Sequence, residues 1–388
     1  MIYFDNGATT FPKPPSVRRA VNEVLSVYGA NPGRSGHRMS VKSSEIMYSC
    51  RENAAKLFGL NNPENVIFTL NCTVALNTVI KGILKSGDHA VISSLEHNAV
   101  VRPLENMKND GVEYSVAECV PYDDEKTIEN FRNCFKSNTK LVICTHASNV
   151  FGVRLPVERI AALCRLNGIL FCLDAAQSAG TVDINLSDSC IDYLCTAGHK
   201  GLYGPMGTGL LVINSDIRPD SLVQGGTGSE SANLNQPETL PDKYESGTPN
   251  LAGIAGLNAG ILFVLNRKTS DIYKTETAHA AYIYKNLKQI ENVILYTKEP
   301  DTSSSTPVIS FNISGMESEK VAKILNDRYN IAVRAGLHCA PLAHQSFGTI
   351  EGGTVRAVIS AFTTRSESAY FSRCVRLIAE NNKVKKRN

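Results

Sequence analysis

Between residues 66 and 213, short runs of aliphatic and β-branched residues alternate with longer stretches whose apolar positions recur at helical spacing. Val66-Ile67-Phe68-Thr69, Ala90-Val91-Ile92-Ser93, Leu141-Val142-Ile143-Cys144, Ile169 to Leu173, Ile191 to Cys195 and Gly209 to Ile213 read as strands. Most lack the in–out alternation of a one-sided sheet, and Ile191 to Cys195 reads as a buried strand. Thr73 to Leu84, a stretch from about Ala99, and Pro156 to Leu166 read as the intervening helices. Strand–helix alternation of this kind predicts βαβ units around a mainly parallel sheet, an α/β architecture.

The alternation stops at the glycine-rich Gln224 to Asn235 stretch and the Pro237 to Pro249 region, which are too polar for a core and long enough to predict a functional loop. Helical patterns resume at Leu251 to Leu265 and Ile272 to Ile290. Strands near Val308 to Phe311 and Thr354 to Ala357, with helices at about 317–328 and 366–380, predict a smaller α+β unit. With 388 residues, two domains with substantial cores are expected.

The charge balance narrows the partners. Forty basic and 37 acidic residues give a formal charge of +3 with no basic stripe, so nucleic acid is not implied. No apolar run is long enough for a membrane span, and the first residues lack the pattern of a signal peptide. Eleven cysteines are scattered without the spacings of zinc or thioredoxin-like pairs, so no metal site is expected. Several sit in apolar runs as small hydrophobes, a usage that fits a reducing cytoplasm.

Candidate chemistry collects after the strands. Lys200 stands among glycines directly behind the Ile191 to Cys195 run, where a desolvated amine is suited to Schiff-base formation. Asp174 ends the strand 169–173, and the carboxyl ends of parallel strands face the ligand crevice. Paired with such a lysine, it is the carboxylate that a pyridine nitrogen needs. Asn71-Cys72-Thr73 opens a helix and offers N–H groups and a hydroxyl to an anion. His97 and Asn149 follow two further strands. Cys339 has Arg334 and His338 nearby and few apolar neighbours, which favours a reactive thiolate. Arg356 could grip a carboxylate. Each also has a plainer reading: a solvated loop lysine, a helix cap at Asp174 or Thr73, an ordinary polar histidine, an incidental loop cysteine, an arginine paired with an acidic neighbour.

Taken in order, these segments resemble the class V aminotransferase branch of the pyridoxal-phosphate enzymes, in particular the cysteine desulfurase and selenocysteine lyase group. The likeness runs from Tyr3-Phe4-Asp5-Asn6-Gly7-Ala8-Thr9-Thr10 through His97, Asn149, Asp174 with Gln177, His199-Lys200 and Glu245-Ser246-Gly247-Thr248-Pro249-Asn250 to the Cys339 loop and Arg356. The resemblance implies the fold type I transferase architecture. A large pyridoxal-phosphate domain over 15–255 is expected, with a smaller domain over 256–388, joined by 1–14, carrying the cysteine. It implies that Lys200 holds the cofactor as a Schiff base and shuttles a proton. Asp174 would meet the ring nitrogen, Gln177 the ring hydroxyl and His97 the ring face. Thr73, His199 and the backbone near Cys72 would hold the phosphate, with Thr248 reaching the phosphate of a neighbouring subunit in a homodimer. Asn149 and Arg356 would bind the substrate carboxylate, and Cys339 would take sulfur from L-cysteine as a persulfide, leaving L-alanine. The compact cysteine loop looks like that of enzymes that pass the persulfide to a small acceptor protein. A selenocysteine lyase, a class V aminotransferase or β-lyase, and a thiol sensor built on Cys339 are the competing readings. Cys72 and Ala197 depart from the family pattern, each standing where a phosphate-binding hydroxyl is usual.

Overall fold

The computed structural model describes residues 1–33 and 36–387, with side chains to residue 382. After a two-residue strand β1 (Ile2–Tyr3), whose partner comes much later, seven strands form the central sheet: β2 (Val66–Thr69), β3 (His89–Ser93), β4 (Glu113–Ala117), β5 (Thr139–Thr145), β6 (Leu170–Asp174), β7 (Tyr193–Ala197) and β8 (Gly209–Ile213). Their order across the sheet is β2-β8-β7-β6-β5-β3-β4. The strands from β7 to β4 pair in parallel. Only β8 runs the other way, antiparallel to both β7 and β2. The connection 198–208 contains no helix, and a parallel return needs a long crossover, so the chain folds straight back.

The absence of alternation in the sequence has its cause here. Every residue of β3, β6, β7 and β8 is buried. Successive side chains go to opposite faces: Val142, Cys144 and Leu194 enter one core with Phe131, Phe151 and Phe171, while Leu141, Ile143 and Tyr193 enter the other with Ile67, Leu76 and Ile92. The first core is closed by helices that include Arg38–Phe58, Val157–Leu166 and Leu251–Arg267, and the second by Cys72–Ile83 and Asn98–Met107. The edge strand β4 is mostly uncovered and its sequence carries no apolar run, so sequence periodicity missed it.

A second sheet of β12 (Arg334–Gly336), β13 (Thr354–Val358), β10 (Val308–Ile313) and β9 (Val293–Leu295) is antiparallel throughout. Helices Thr269–Lys288, Ser318–Tyr329 and Arg365–Arg387 contribute to this unit, whose core gathers Phe4, Ile283, Ile309, Phe311, Val355 and Phe371. β1 pairs in parallel with β11 (Ile331–Ala332), so residues 2–4 belong to this core although hundreds of residues precede it. The helix Leu251–Arg267 runs through residue 255, and its Ile254, Leu257 and Ile261 pack in the core of the large sheet. No helix among the described residues is long and apolar enough to cross a membrane.

Candidate active site

Parallel pairing puts the carboxyl ends of β2, β3, β5, β6 and β7 along one edge, and the candidate residues follow those ends in turn. Asn71, Cys72, Thr73, His97, Asn149, Asp174, Gln177, His199 and Lys200 line one crevice of about 520 Å³. Thr248, Cys339 and Arg356 are not part of that lining.

Asp174 is the last residue of β6 and is 4% exposed. Its Oδ1 accepts from the Ala176 N–H at 2.9 Å and from the Cys72 thiol at 3.5 Å. Burial raises its pKa, opposed by the Ala176 hydrogen bond and by the Lys200 charge. Burial in turn lowers the Lys200 ammonium, with the Asp174 carboxylate opposing. A carboxylate and an amine are thereby held in one crevice with opposed shifts, the condition in which protons move readily between groups.

His97 caps the helix Asn98–Met107: its Nδ1 accepts from the Ala99 N–H at 3.0 Å. That bond leaves Nε2 as the protonated nitrogen of the neutral ring. Burial, then Lys200 and the arginines 334, 102 and 356, push its pKa down to about 4, so the ring is neutral at physiological pH. His199 is likewise held down to about 4 by burial and then by Lys200, and its buried Nδ1 has no partner.

At the other end, the helix Cys72–Ile83 begins. Asn71 caps it by accepting from Val74 N–H at 3.0 Å, and Thr73 stands exposed at its start. Free N–H groups at a helix start attract an anion. Two side chains differ from the expected cradle. The Cys72 thiol is turned to Asp174, and burial followed by that carboxylate raises its pKa well above the ordinary value. Thr196, next to the missing hydroxyl at Ala197, bonds the Ala175 carbonyl at 3.3 Å and is buried. Neither supplies a hydroxyl to the crevice.

Pyridoxal phosphate fits what is there. Buried Asp174, His97 and Ala176 line the crevice, the helix start offers N–H groups, and the His199 Nδ1 is buried without a partner. The Gln177 amide donates to the Gly7 carbonyl at 3.1 Å, which fixes the side chain in the lining.

Arg356 on β13 is 1% exposed. Its two terminal nitrogens bond Asp5 Oδ1 at 2.9 Å and the Asn149 carbonyl at 2.8 Å, while Nε is buried without a partner. The Asn149 amide donates to the His338 carbonyl at 2.8 Å, and its Oδ1 is unpaired. Unsatisfied atoms on both residues mark where an added polar group would be held.

Cys339 is exposed, in a turn where His338 and Cys339 both have left-handed backbone, φ +52° and +57°. The Cys339 carbonyl accepts from the Asn98 N–H at 2.8 Å, so the loop is tied to the residue beside His97. Arg334 brings a guanidinium nitrogen to 3.8 Å from the Cys339 sulfur. His338, expected near the thiol, points the opposite way and is 3% exposed.

Sequence reasoning missed two groups. Glu96 is fully buried, takes a hydrogen bond from Ser93 and another from Thr145 N–H at 2.7 Å, and leaves Oε2 unpaired. Burial and then Asp174 push it up to about 8. Its only signal was its place beside His97. Lys13, whose Nζ bonds Thr10 Oγ1 and the His199 carbonyl at 2.7 Å each, is lowered to about 8 by burial.

The chain matches the aminotransferase class-V family over residues 2–371. It belongs to that family. A class-V relative from Methanothermobacter thermautotrophicus, described as a probable cysteine desulfurase, is 31% identical over 374 residues, covering 94% of this chain and 92% of the relative. One of the same description from Pyrococcus abyssi is 32% identical over 385 residues, covering 96% and 92%. Among solved structures, the apo cysteine desulfurase of Thermococcus onnurineus superimposes with a TM-score of 0.90 at 32% identity, covering 98% of this chain and 95% of that one. An Escherichia coli cysteine desulfurase shares the fold at a TM-score of 0.86 and 23% identity, covering 96% and 93%. The architecture of this class-V chain is that of the fold type I pyridoxal-phosphate enzymes, as its sequence predicted.

Proposed function

We propose that the protein is a pyridoxal-phosphate-dependent cysteine desulfurase that converts L-cysteine to L-alanine and leaves the sulfur as a persulfide on Cys339. The observation that carries this reading is the pinning of an exposed thiol to the rim of the crevice, through Asn98 N–H to the Cys339 carbonyl and the Asn149 amide to the His338 carbonyl. A transaminase needs no such thiol. Asp174, Gln177, His97, His199, Lys200 and the start of the Cys72–Ile83 helix would hold the cofactor. When bound, pyridoxal phosphate supplies an electron sink that labilises the substrate Cα–H bond and weakens the C–S bond.

The chain's own residues supply the rest. Asp174 keeps its charge available at the crevice base. Lys200, its amine freed of part of its basicity by burial, takes and returns protons there. Neutral His97, oriented through Nδ1, presents a flat ring and an Nε2–H. Arg356, through its unpaired Nε–H, and Asn149, through the second N–H of its amide, would receive the substrate carboxylate, both side chains being already oriented by the protein. Cys339 attacks the substrate sulfur; the S–S bond forms as the C–S bond breaks. Its sulfur is oxidised, the substrate carbon is reduced and takes the proton, and Arg334 offers charge to the sulfur anion.

Thr248 is exposed beside an apolar cavity of about 1080 Å³ that includes Leu70 and Val223, both largely uncovered. This supports a homodimer in which Thr248 serves the neighbouring subunit's phosphate. Eleven free cysteines fit a reducing cytoplasm, and a small acceptor protein would collect the persulfide. The domain division is drawn after Arg267 instead of at residue 255, because the helix Leu251–Arg267 packs in the large core.

The test is incubation with L-cysteine and a reductant, measuring alanine and sulfide. Cys339→Ser is expected to abolish both while leaving the cysteine-induced change in the cofactor's visible absorption. Full turnover in Cys339→Ser would overturn the mechanism.

A further inference from the structure

Two imidazoles lie beneath the Cys339 loop and take no part in the chemistry above. His338, 3% exposed, and His344, with no exposure, have nearly parallel rings, 10° apart, with centroids separated by 5.7 Å. His338 Nδ1 lies 3.4 Å from His344 Nε2, and His344 Nδ1 lies 2.7 Å from Thr349 Oγ1. The far side of His344 meets the Phe151 ring edge-on, at 5.6 Å between centroids. Thr349 closes the row through its N–H to the His344 carbonyl at 2.8 Å.

The row bears on one strained segment. His338 and Cys339 are consecutive non-glycine residues with positive φ, a conformation that costs energy unless surrounding contacts over-determine it. The His338 carbonyl is held by Asn149 and the Cys339 carbonyl by Asn98, both bonds to the backbone. Of the two side chains with positive φ, that of Cys339 is exposed and that of His338 is buried, where it meets His344. Two facing imidazole nitrogens can bond only when one donates and the other accepts, so the contact is lost if both rings are protonated. Burial, followed by Arg356, His344 and Arg334, holds His338 down to about 2, and burial lowers His344 as well.

We propose that His344, acting through His338 and oriented by Thr349, is a positioning residue that holds the Cys339 turn in its sulfur-accepting conformation. The inference rests on Cys339 as sulfur acceptor. It assigns to the row no contact with substrate or cofactor. Its effect falls on sulfur transfer and spares amino-acid binding.

The experiment compares holoenzyme with His344→Phe and His344→Gln. Glutamine can restore a polar contact to His338; phenylalanine fills the space and cannot. Three quantities are read: kcat and KM for L-cysteine, the cysteine-induced change in visible cofactor absorption, and hydrogen exchange of the 334–340 segment. His344→Phe is expected to lower kcat about tenfold through a displaced thiol, with KM within about twofold and the absorption change intact. Exchange of 334–340 should rise about tenfold, and His344→Gln should recover most of kcat. Wild-type kcat in His344→Phe overturns the proposal. So does a loss of kcat that travels with equal loss of the absorption change, since that is general damage to the crevice. If His344→Phe fails to fold, Thr349→Val removes only the orienting hydroxyl and is expected to lower kcat about threefold with the same split; unchanged kcat there overturns it too. Failure of the desulfurase reading shows separately, as turnover retained in Cys339→Ser whatever the histidine variants do.

Discussion

The crevice and the cysteine loop solve opposite problems. Around Lys200 the groups are buried or half-buried, fixed at strand ends and helix starts, and their proton affinities are displaced by desolvation and by one another. Around Cys339 the thiol is exposed, and what is fixed is the backbone behind it. A site that shares protons between an amine and a carboxylate gains from excluding water, because charges interact more strongly there. A thiol with the role proposed for Cys339 gains from access. Hydrogen bonds tie the two through Asn98 and Asn149, and the Arg334 charge reaches His97 and Lys200, but burial chiefly sets the crevice, so substitutions should largely separate them.

Lys200→Ala tests the crevice alone and has the largest expected effect. Alanine formation should fall by about three orders of magnitude or more, with loss of the lysine-dependent visible band while Cys339 still reacts with alkylating agents. Retention of that band would break the assignment. Asp174→Asn should lower turnover about a hundredfold and weaken cofactor retention, measured by dialysis, with the loop unaffected. Arg334→Gln acts mainly on the loop, since burial chiefly displaces His97 and Lys200: turnover should fall about tenfold with the visible band retained, and loss of that band would merge the two regions.

The smallest effect concerns stability. Glu276, buried and bonded to Tyr203 OH at 3.2 Å and Thr181 Oγ1 at 3.5 Å, is pushed up to about 8, mainly by burial. Its folded form binds the proton more tightly than the unfolded chain, so this stabilisation is complete below the ordinary carboxylate value and is lost as pH rises toward 8. The depressed histidines, His97 and His199 near 4, work the other way and lose stabilisation as pH falls below about 6.5. Between pH 6.5 and 8 the carboxylates act without those histidines, and Glu276 contributes at most about 1.4 kcal/mol per pH unit. Glu276→Gln should therefore flatten the decline of Tm over that window. An unchanged slope would count against a raised carboxyl at this position.

The same contrast governs what could be read from the residues. The strand–helix alternation was legible because both faces of the sheet are covered, which writes continuous apolar runs into β3, β5, β6 and β7. Asp174 and Lys200 were legible because a strand end is a local feature. The reversed β8 followed from chain length between two strands, not from its own residues, and β4 was hidden by its exposure. The direction of His338 could not be read from its place beside Cys339. Consecutive left-handed residues send neighbouring side chains apart, and that geometry has no signature in the letters. Glu96 and Lys13 escaped for another reason: their roles depend on partners far along the chain.

Residues 5–10 bear on the order of folding. Asp5 bonds Arg356, Asn6 bonds the Val358 carbonyl, Gly7 receives Gln177, and Thr10 bonds the Lys200 carbonyl. The partners of Asp5 and Asn6 lie 351 and 352 positions further along. Pairings this distant in sequence form slowly, since the loop between them must close first. The central sheet can form, with Gly7 and Thr10 meeting Gln177 and Lys200, while Asp5 and Asn6 remain unpaired, and Arg356 takes its place only when β13 has joined. The scaffold thus precedes the completed crevice, with Asp5 and Asn6 serving as the final clasp.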